Sequence, residues 1–249
     1  MATMPFVAEP DLDYTRLATR FVAGKGLRLD EAYRRAHLPL VAPEHPDVIA
    51  EDGARGYMMG RHETIWSLVI PIDSDRLEAS PAYQAMDIAL RQSPFADKIA
   101  WEIANKRRHV LHATIVGNLA RGAPPAISRE VRASLKRAGP FRLRLVGLFS
   151  GNINLGRLYL ALYPEVIEGE NAVHRLQDAL GARRTRLYVV GLYNLSDHLD
   201  PHEASALAAV IAQFKDTHFL ESDGIALAML GARDDLALDS SVTENVTLI

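Results

Sequence analysis

His112 and Thr114, in the stretch LHATI, are two residues apart and of types that do chemistry together. In a β-strand such residues project from one face, while Leu111, Ala113 and Ile115 point the other way. An imidazole moves a proton near neutral pH. A threonine hydroxyl beside it can donate to a phosphate oxygen. Two such strands facing one groove would make a metal-free phosphodiester site. One histidine would be the base and the other the acid, with both hydroxyls holding the phosphate. The plainer alternative is a core histidine bonded to backbone, beside a threonine that suits a strand.

A second stretch, LYVVGLYNL (Leu187 to Leu195), overlays LHATIVGNL (Leu111 to Leu119) without a gap. Leu, Asn and Leu coincide at the first, eighth and ninth places. The overlay sets Tyr188 on His112 and Val190 on Thr114, and predicts that Tyr188 faces His112 across a groove. Tyrosine can donate a hydrogen bond, but with a pKa near 10 it is a poor base at neutral pH. Valine cannot hold a phosphate oxygen. Trp66 and Tyr159 lie in matching strands. They are candidates to stack on a base at the groove edge, the alternative for both being core.

Other groupings carry less. His62 and Thr64 form another His-x-Thr, but away from the repeated position, and the pair reads as coincidence. His109 and His112 are three apart, hence on opposite strand faces, which argues against shared metal ligation. SDHLDPHE resembles a metal cluster, but Asp200, Pro201 and Glu203 sit where a helix cap wants them. Asn118 and Asn194 read as turn residues at strand ends. SGNINLG (Ser150 to Gly156) fits no phosphate-loop spacing and reads as a turn.

These residues need elements to position them. Residues 1–55 read as a helical N-terminal extension, with helices through YTRLATRFVA and LDEAYRRAH and an extended linker through LPLVAPEHPDV. From there the pattern β-α-β-α-β recurs twice. The first pass runs through ETIWSLVIPI, SPAYQAMDIALRQS, HVLHATIVGNL, PAISREVRASLKRAG and FRLRLVGLF. The second runs through GRLYLALYP, GENAVHRLQDALG, TRLYVVGLYNL, DPHEASALAAVIAQFKD and DGIALAML. PFADKIAWEIANKRR adds a turn or helix to the first pass, and the C-terminal residues add at least one strand. The expectation is an α+β domain over 56–249 with two similar lobes, roughly 56–149 and 156–249. Helices would cover one face of each sheet, and the other face would line a groove.

His112, Thr114 and the doubled strand order resemble the two-histidine (2H) phosphoesterase superfamily, which includes 2′–5′ RNA ligase-like proteins and cyclic nucleotide phosphodiesterases. The resemblance covers roughly 56–249. It implies a bilobal duplicated fold and action on a phosphodiester, such as a cyclic phosphate on a nucleotide or RNA end. It also implies His112 as acid or base, Thr114 and Tyr188 as phosphate ligands, and no metal or organic cofactor. Tyr188 carries over in position only, so turnover is expected to be weak or absent. A non-catalytic nucleotide- or RNA-binding module stays open. So does a structural or interaction protein whose groove is filled by its own N-terminal segment.

Composition sets the outer bounds. The 249 residues, 48% hydrophobic and 24% charged, suffice for a sizeable core. No apolar run approaches the roughly 20 residues of a membrane helix. The N-terminus lacks the pattern of a secretory signal. Absence of cysteine removes disulfides and thiol catalysis and fits a cytoplasmic protein. The net charge of −3 hides a basic middle, with 15 Lys and Arg against 6 Asp and Glu from Trp101 to Arg186. That stretch either attracts phosphate or nucleic acid or is a set of solvated basic faces. Oligomeric state has no signature in the sequence.

Overall fold

The computed structural model describes residues 6–224 and 226–248. Its extension carries three short helices, α1 (Tyr14–Leu17), α2 (Glu31–Ala36) and α3 (Leu38–Val41). The Asp30 side chain caps α2 by accepting from the Tyr33 N–H. α1 is shorter than the sequence suggests because tertiary pairing takes over. Ala18 bridges to Gly151, and the Thr19 N–H donates to the Ser150 carbonyl. The expected extended linker holds one helical turn, α3, with Pro39 near its start, where no N–H is needed.

A small hairpin, β1 (Glu51–Asp52) and β2 (Tyr57–Met58), leads into β3 (Arg61–Pro71). There follow α4 (Ser74–Glu78), α5 (Pro81–Arg91), α6 (Trp101–Arg107), β4 (His112–Arg121), α7 (Arg129–Ala138), β5 (Phe141–Ser150) and β6 (Arg157–Pro164). A two-residue ladder, β7 (Val166–Ile167) with β8 (Glu170–Asn171), precedes α8 (Ala172–Ala179) and β9 (Val189–Asn194). The chain ends in α9 (Pro201–Phe214), β10 (His218–Gly224), β11 (Ala226–Asp234) and β12 (Ser240–Thr247). Asp200 and Glu203 form the expected capping box on α9, which accounts for SDHLDPHE.

The fold is α+β, built on a ten-stranded antiparallel sheet. Its main order is β12-β11-β3-β4-β9-β6-β5-β10, with β1-β2 attached to β3. β10 is the last strand of that order and β11 the second from its other end, yet only residue 225 separates them, so the sheet must curl back on itself. Curling gives it a concave face. On the other face Leu68, Ile70, Ala113, Ile115, Leu158 and Leu160 share one core with Met86, Leu135, Leu176 and Leu207 of the helices.

The two halves exchange strands, so they are not the contiguous stretches 56–149 and 156–249. The short Gly151–Gly156 connection makes β5 and β6 a hairpin, which draws β5 into the second half. β11 and β12 return to the first half on the free side of β3. The halves meet where β4 and β9 touch through one pair, Ala113 with Val190. Among the described residues no helix is long and apolar enough to cross a membrane.

Candidate functional site

That single pair decides which side chains reach the groove. Directly opposed residues of an antiparallel ladder point to the same face. Val190 therefore joins Ala113 in the core, and Val189 and Gly191 share the concave face with His112 and Thr114. Tyr188 has the wrong parity and does not face His112. It is fully buried, donates its hydroxyl to the Thr185 carbonyl and accepts from Asn171. Burial pushes its pKa up to about 12.

Trp66 likewise lies outside the groove. Its neighbours Ile65 and Ser67 line the cavity, so the indole turns to the opposite face, over Gly231, where a Cβ would lie 2.6 Å from the ring. Its Nε1–H donates to the Gly122 carbonyl at 3.0 Å. Tyr159 is on the groove face, opposite Gly191, but buried. It stacks on Phe149 and carries the Arg157 guanidinium 5.4 Å above its ring, so it supports Arg157.

His112 and Thr114 do line an open cavity of about 260 Å³. The turn before β4 aims the Val110 carbonyl at the His112 Nδ1, 2.6 Å away. A carbonyl only accepts, so Nδ1 carries the proton and Nε2 keeps a bare lone pair. Burial, with repulsion from Arg107 and Arg157, lowers the His112 pKa to about 4, and the ring is neutral at pH 7.

Arg157 fills the place opposite. A Cβ on Gly191 would lie 2.6 Å from its Cζ, so the glycine makes room for the guanidinium. Arg157 Nη1 donates to the Asp235 carbonyl at 3.0 Å, while its buried Nε has no partner among the described residues. Behind it Arg107, 2% exposed, donates to the carbonyls of Leu236 and Gly191 and pairs with no carboxylate among the described residues. Burial and repulsion from Arg157 lower its pKa to about 9, which leaves it charged.

The discounted His62 also lines this cavity. Its Nε2 is 3.1 Å from Asp235 Oδ1 and its Nδ1 is 2.7 Å from the Glu63 carbonyl. Both nitrogens therefore donate, which is the charged form. Burial works against that charge, but the bonds to Asp235 and Glu63 outweigh it and hold the pKa above 6.5. Burial likewise disfavours the Asp235 carboxylate, yet its bond to His62 keeps it below the usual range. Tyr57 donates to Asp235 Oδ2 at 3.0 Å.

β4 bulges beside the motif: Gly117, Asn118 and Leu119 oppose the single residue Ser67. Asn118 takes φ 55° there and lines both this cavity and a wider one of about 660 Å³ beyond it. Asn194, the other asparagine singled out, is buried against Tyr33 and His37.

The N-terminal extension covers the second half of the concave face. The Tyr14 ring packs on Phe149 and Tyr163, and its hydroxyl donates to the Leu162 carbonyl at 2.5 Å. Part of the basic middle is neutralised: Arg142 and Arg144 pair with Glu221, Arg175 with Glu168, Arg184 with Asp178 and Arg132 with Glu244. Among the described residues of that stretch, Arg157 lines this cavity and Arg121 the wider one beyond it, neither with a carboxylate partner, and Arg107 lies behind Arg157. Among the described residues no group of three or more His, Asp or Glu side chains is arranged to hold a metal ion. Against models of known protein families and against curated proteins the chain has no match.

Proposed function

We propose that the open half of the groove binds a phosphodiester, such as a cyclic phosphate on a nucleotide or RNA end, and turns it over slowly without a metal. One observation carries this reading. Two guanidiniums, buried Arg107 and half-buried Arg157, have no carboxylate partner among the described residues, and Arg157 lines the same cavity as His112 with its bare Nε2. Buried charge is tolerated when something neutralises it. Among the lining residues Arg157 and protonated His62 balance Asp234 and Asp235, and Arg107, buried behind them, adds one positive charge. An anion completes the balance, and a phosphate oxygen suits both the guanidinium fork and the Thr114 hydroxyl.

In this scheme His112 Nε2 takes the proton of an attacking water as its oxygen bonds to phosphorus. The P–O bond to the ribose oxygen then breaks, and that oxygen takes a proton from solvent. A bound anion raises the His112 pKa from about 4 toward neutrality, making it a better base. Both N–H groups of His62 are held, by Asp235 and Glu63, and His37 is neutral, so no second imidazolium is free to protonate the leaving oxygen. Slow turnover follows. A likeness to the 2H phosphoesterases in the doubled strand order agrees with this reading. So does His-x-Thr on a central strand. Here, however, Arg157 stands where a second motif would.

The groove face of β9 offers no proton-transferring side chain, only Val189 and Gly191, which favours a second reading, a nucleotide- or RNA-binding module without turnover. Hydrolysis of a nucleoside 2′,3′-cyclic phosphate in chelator, by the natural chain and His112→Gln, separates the two. Slow hydrolysis lost in the variant supports the enzyme. Binding that weakens with salt, without hydrolysis, supports the module. Neither binding nor hydrolysis at low salt refutes both.

A further inference from the structure

His37, contributed by the N-terminal extension, is fully buried and lines the same cavity. Its tautomer is fixed by a chain of bonds. The Tyr33 hydroxyl spends its proton on the Leu195 carbonyl at 2.6 Å, so its oxygen can only accept from Asn194 at 3.3 Å. The Asn194 atom facing Tyr33 is therefore its NH₂, and the same NH₂ lies 3.3 Å from His37 Nδ1. Nδ1 accepts, and Nε2 carries the proton. Burial, with repulsion from Arg157 and Arg107, lowers the His37 pKa to about 3, so the ring stays neutral.

This Nε2–H is a buried donor with no partner among the described residues, 4.0 Å from Asp235 Oδ2. The distance is too long for a hydrogen bond. One oxygen about 2.8 Å from both atoms would bridge them, with a slight opening of the wall that closes over Nε2. Asp235 Oδ2 takes the Tyr57 hydroxyl on one lone pair and has another to offer. The bridging oxygen must therefore accept from His37 and donate to Asp235. A phosphate oxygen does the first only, and the carboxylate repels it. A water does both, and so does a ligand hydroxyl that takes its place.

We infer that His37 and Asp235 form a receptor for a ribose hydroxyl next to the phosphate, so that the extension makes the groove selective for ribonucleotides over deoxyribonucleotides. This rests on the phosphate reading of the groove. His37 is a specificity residue here, and it moves no proton.

The test compares a nucleoside 3′-monophosphate with its 2′-deoxy counterpart by calorimetry. The natural chain should prefer the ribonucleotide by about 10- to 100-fold, the cost of leaving the two polar groups unpaired. His37→Phe should abolish the preference while keeping the deoxynucleotide affinity. Should that variant not fold, the ¹⁵N spectrum of histidine in the natural chain gives the same answer. The His37 Nε2–H resonance should shift with the ribonucleotide and stay in place with the deoxynucleotide. Equal affinities, a preference that survives His37→Phe, or an unmoved resonance would overturn the hydroxyl assignment alone. Binding of neither nucleotide would overturn it together with the phosphate reading.

Discussion

Replacing Gly191 by alanine tests the site with a single methyl group. Gly191 lies within β9 and has none of the positive φ angles that only glycine tolerates, so alanine suits the backbone there. The new Cβ would lie 2.6 Å from the Arg157 Cζ, against an ordinary carbon contact of about 3.5 Å. The guanidinium must retreat by roughly 1 Å or swing out of the cavity. It is the far end of a flexible side chain, and the bond it stands to lose is the one from Nη1 to the Asp235 carbonyl, about 1 kcal/mol, so the fold should change little. A charged hydrogen bond to phosphate is worth about 1.5–3 kcal/mol. Gly191→Ala should therefore weaken phosphate binding by about 10- to 100-fold, with Tm moving by less than about 4 °C. Calorimetric titration of a nucleoside monophosphate, beside a thermal melt, measures both. Unchanged affinity in a folded variant would mean that Arg157 does not hold the phosphate.

Two further outcomes concern the buried groups. Tyr188→Phe should lower stability by about 1 kcal/mol through its lost bond to the Thr185 carbonyl, and titration should find phosphate affinity unaltered. The neutral histidines make the fold acid-sensitive. The unfolded chain protonates each imidazole near pH 6.5, whereas folded His112 waits until about 4 and His37 until about 3. Between those values the unfolded state binds more protons. Stability is therefore complete above 6.5 and is lost as pH falls toward the folded values, by about 3 kcal/mol for His112 alone. Urea midpoints should drop from pH 7 to pH 4.5, and less steeply in His37→Gln; equal midpoints would contradict the burial argument.

The sequence carried the elements better than the site. Strand and helix identity followed from β-branched runs, caps and terminal glycines, as in Asp200 and Glu203 capping α9 and Gly139 closing α7 at φ 72°. The chemistry of His112 and Thr114 was legible because a strand alternates. The partner strand was not. Leu187 to Val190 is apolar or aromatic throughout, so no polar alternation marks its faces, and a one-residue slip exchanges core for groove. Only the Ala113–Val190 pair sets that register. Arg107, Arg157, Asp235 and His37 come from four distant segments with no common spacing, and each becomes functional through the curled sheet. Gly191 was the one local hint. A glycine inside a strand marks close approach by another group, here Arg157. The exchange of β5 and β11 between halves was hidden because repeat order does not say which strands pair.

The most direct test of the central claim is a crystal structure with a nucleoside 2′-monophosphate, the class of product that opening a 2′,3′-cyclic phosphate leaves. Its phosphate should lie on the Thr114 hydroxyl and the Arg157 guanidinium, within reach of His112 Nε2. A phosphate bound elsewhere on the protein, with this cavity empty at saturating ligand, would contradict the account.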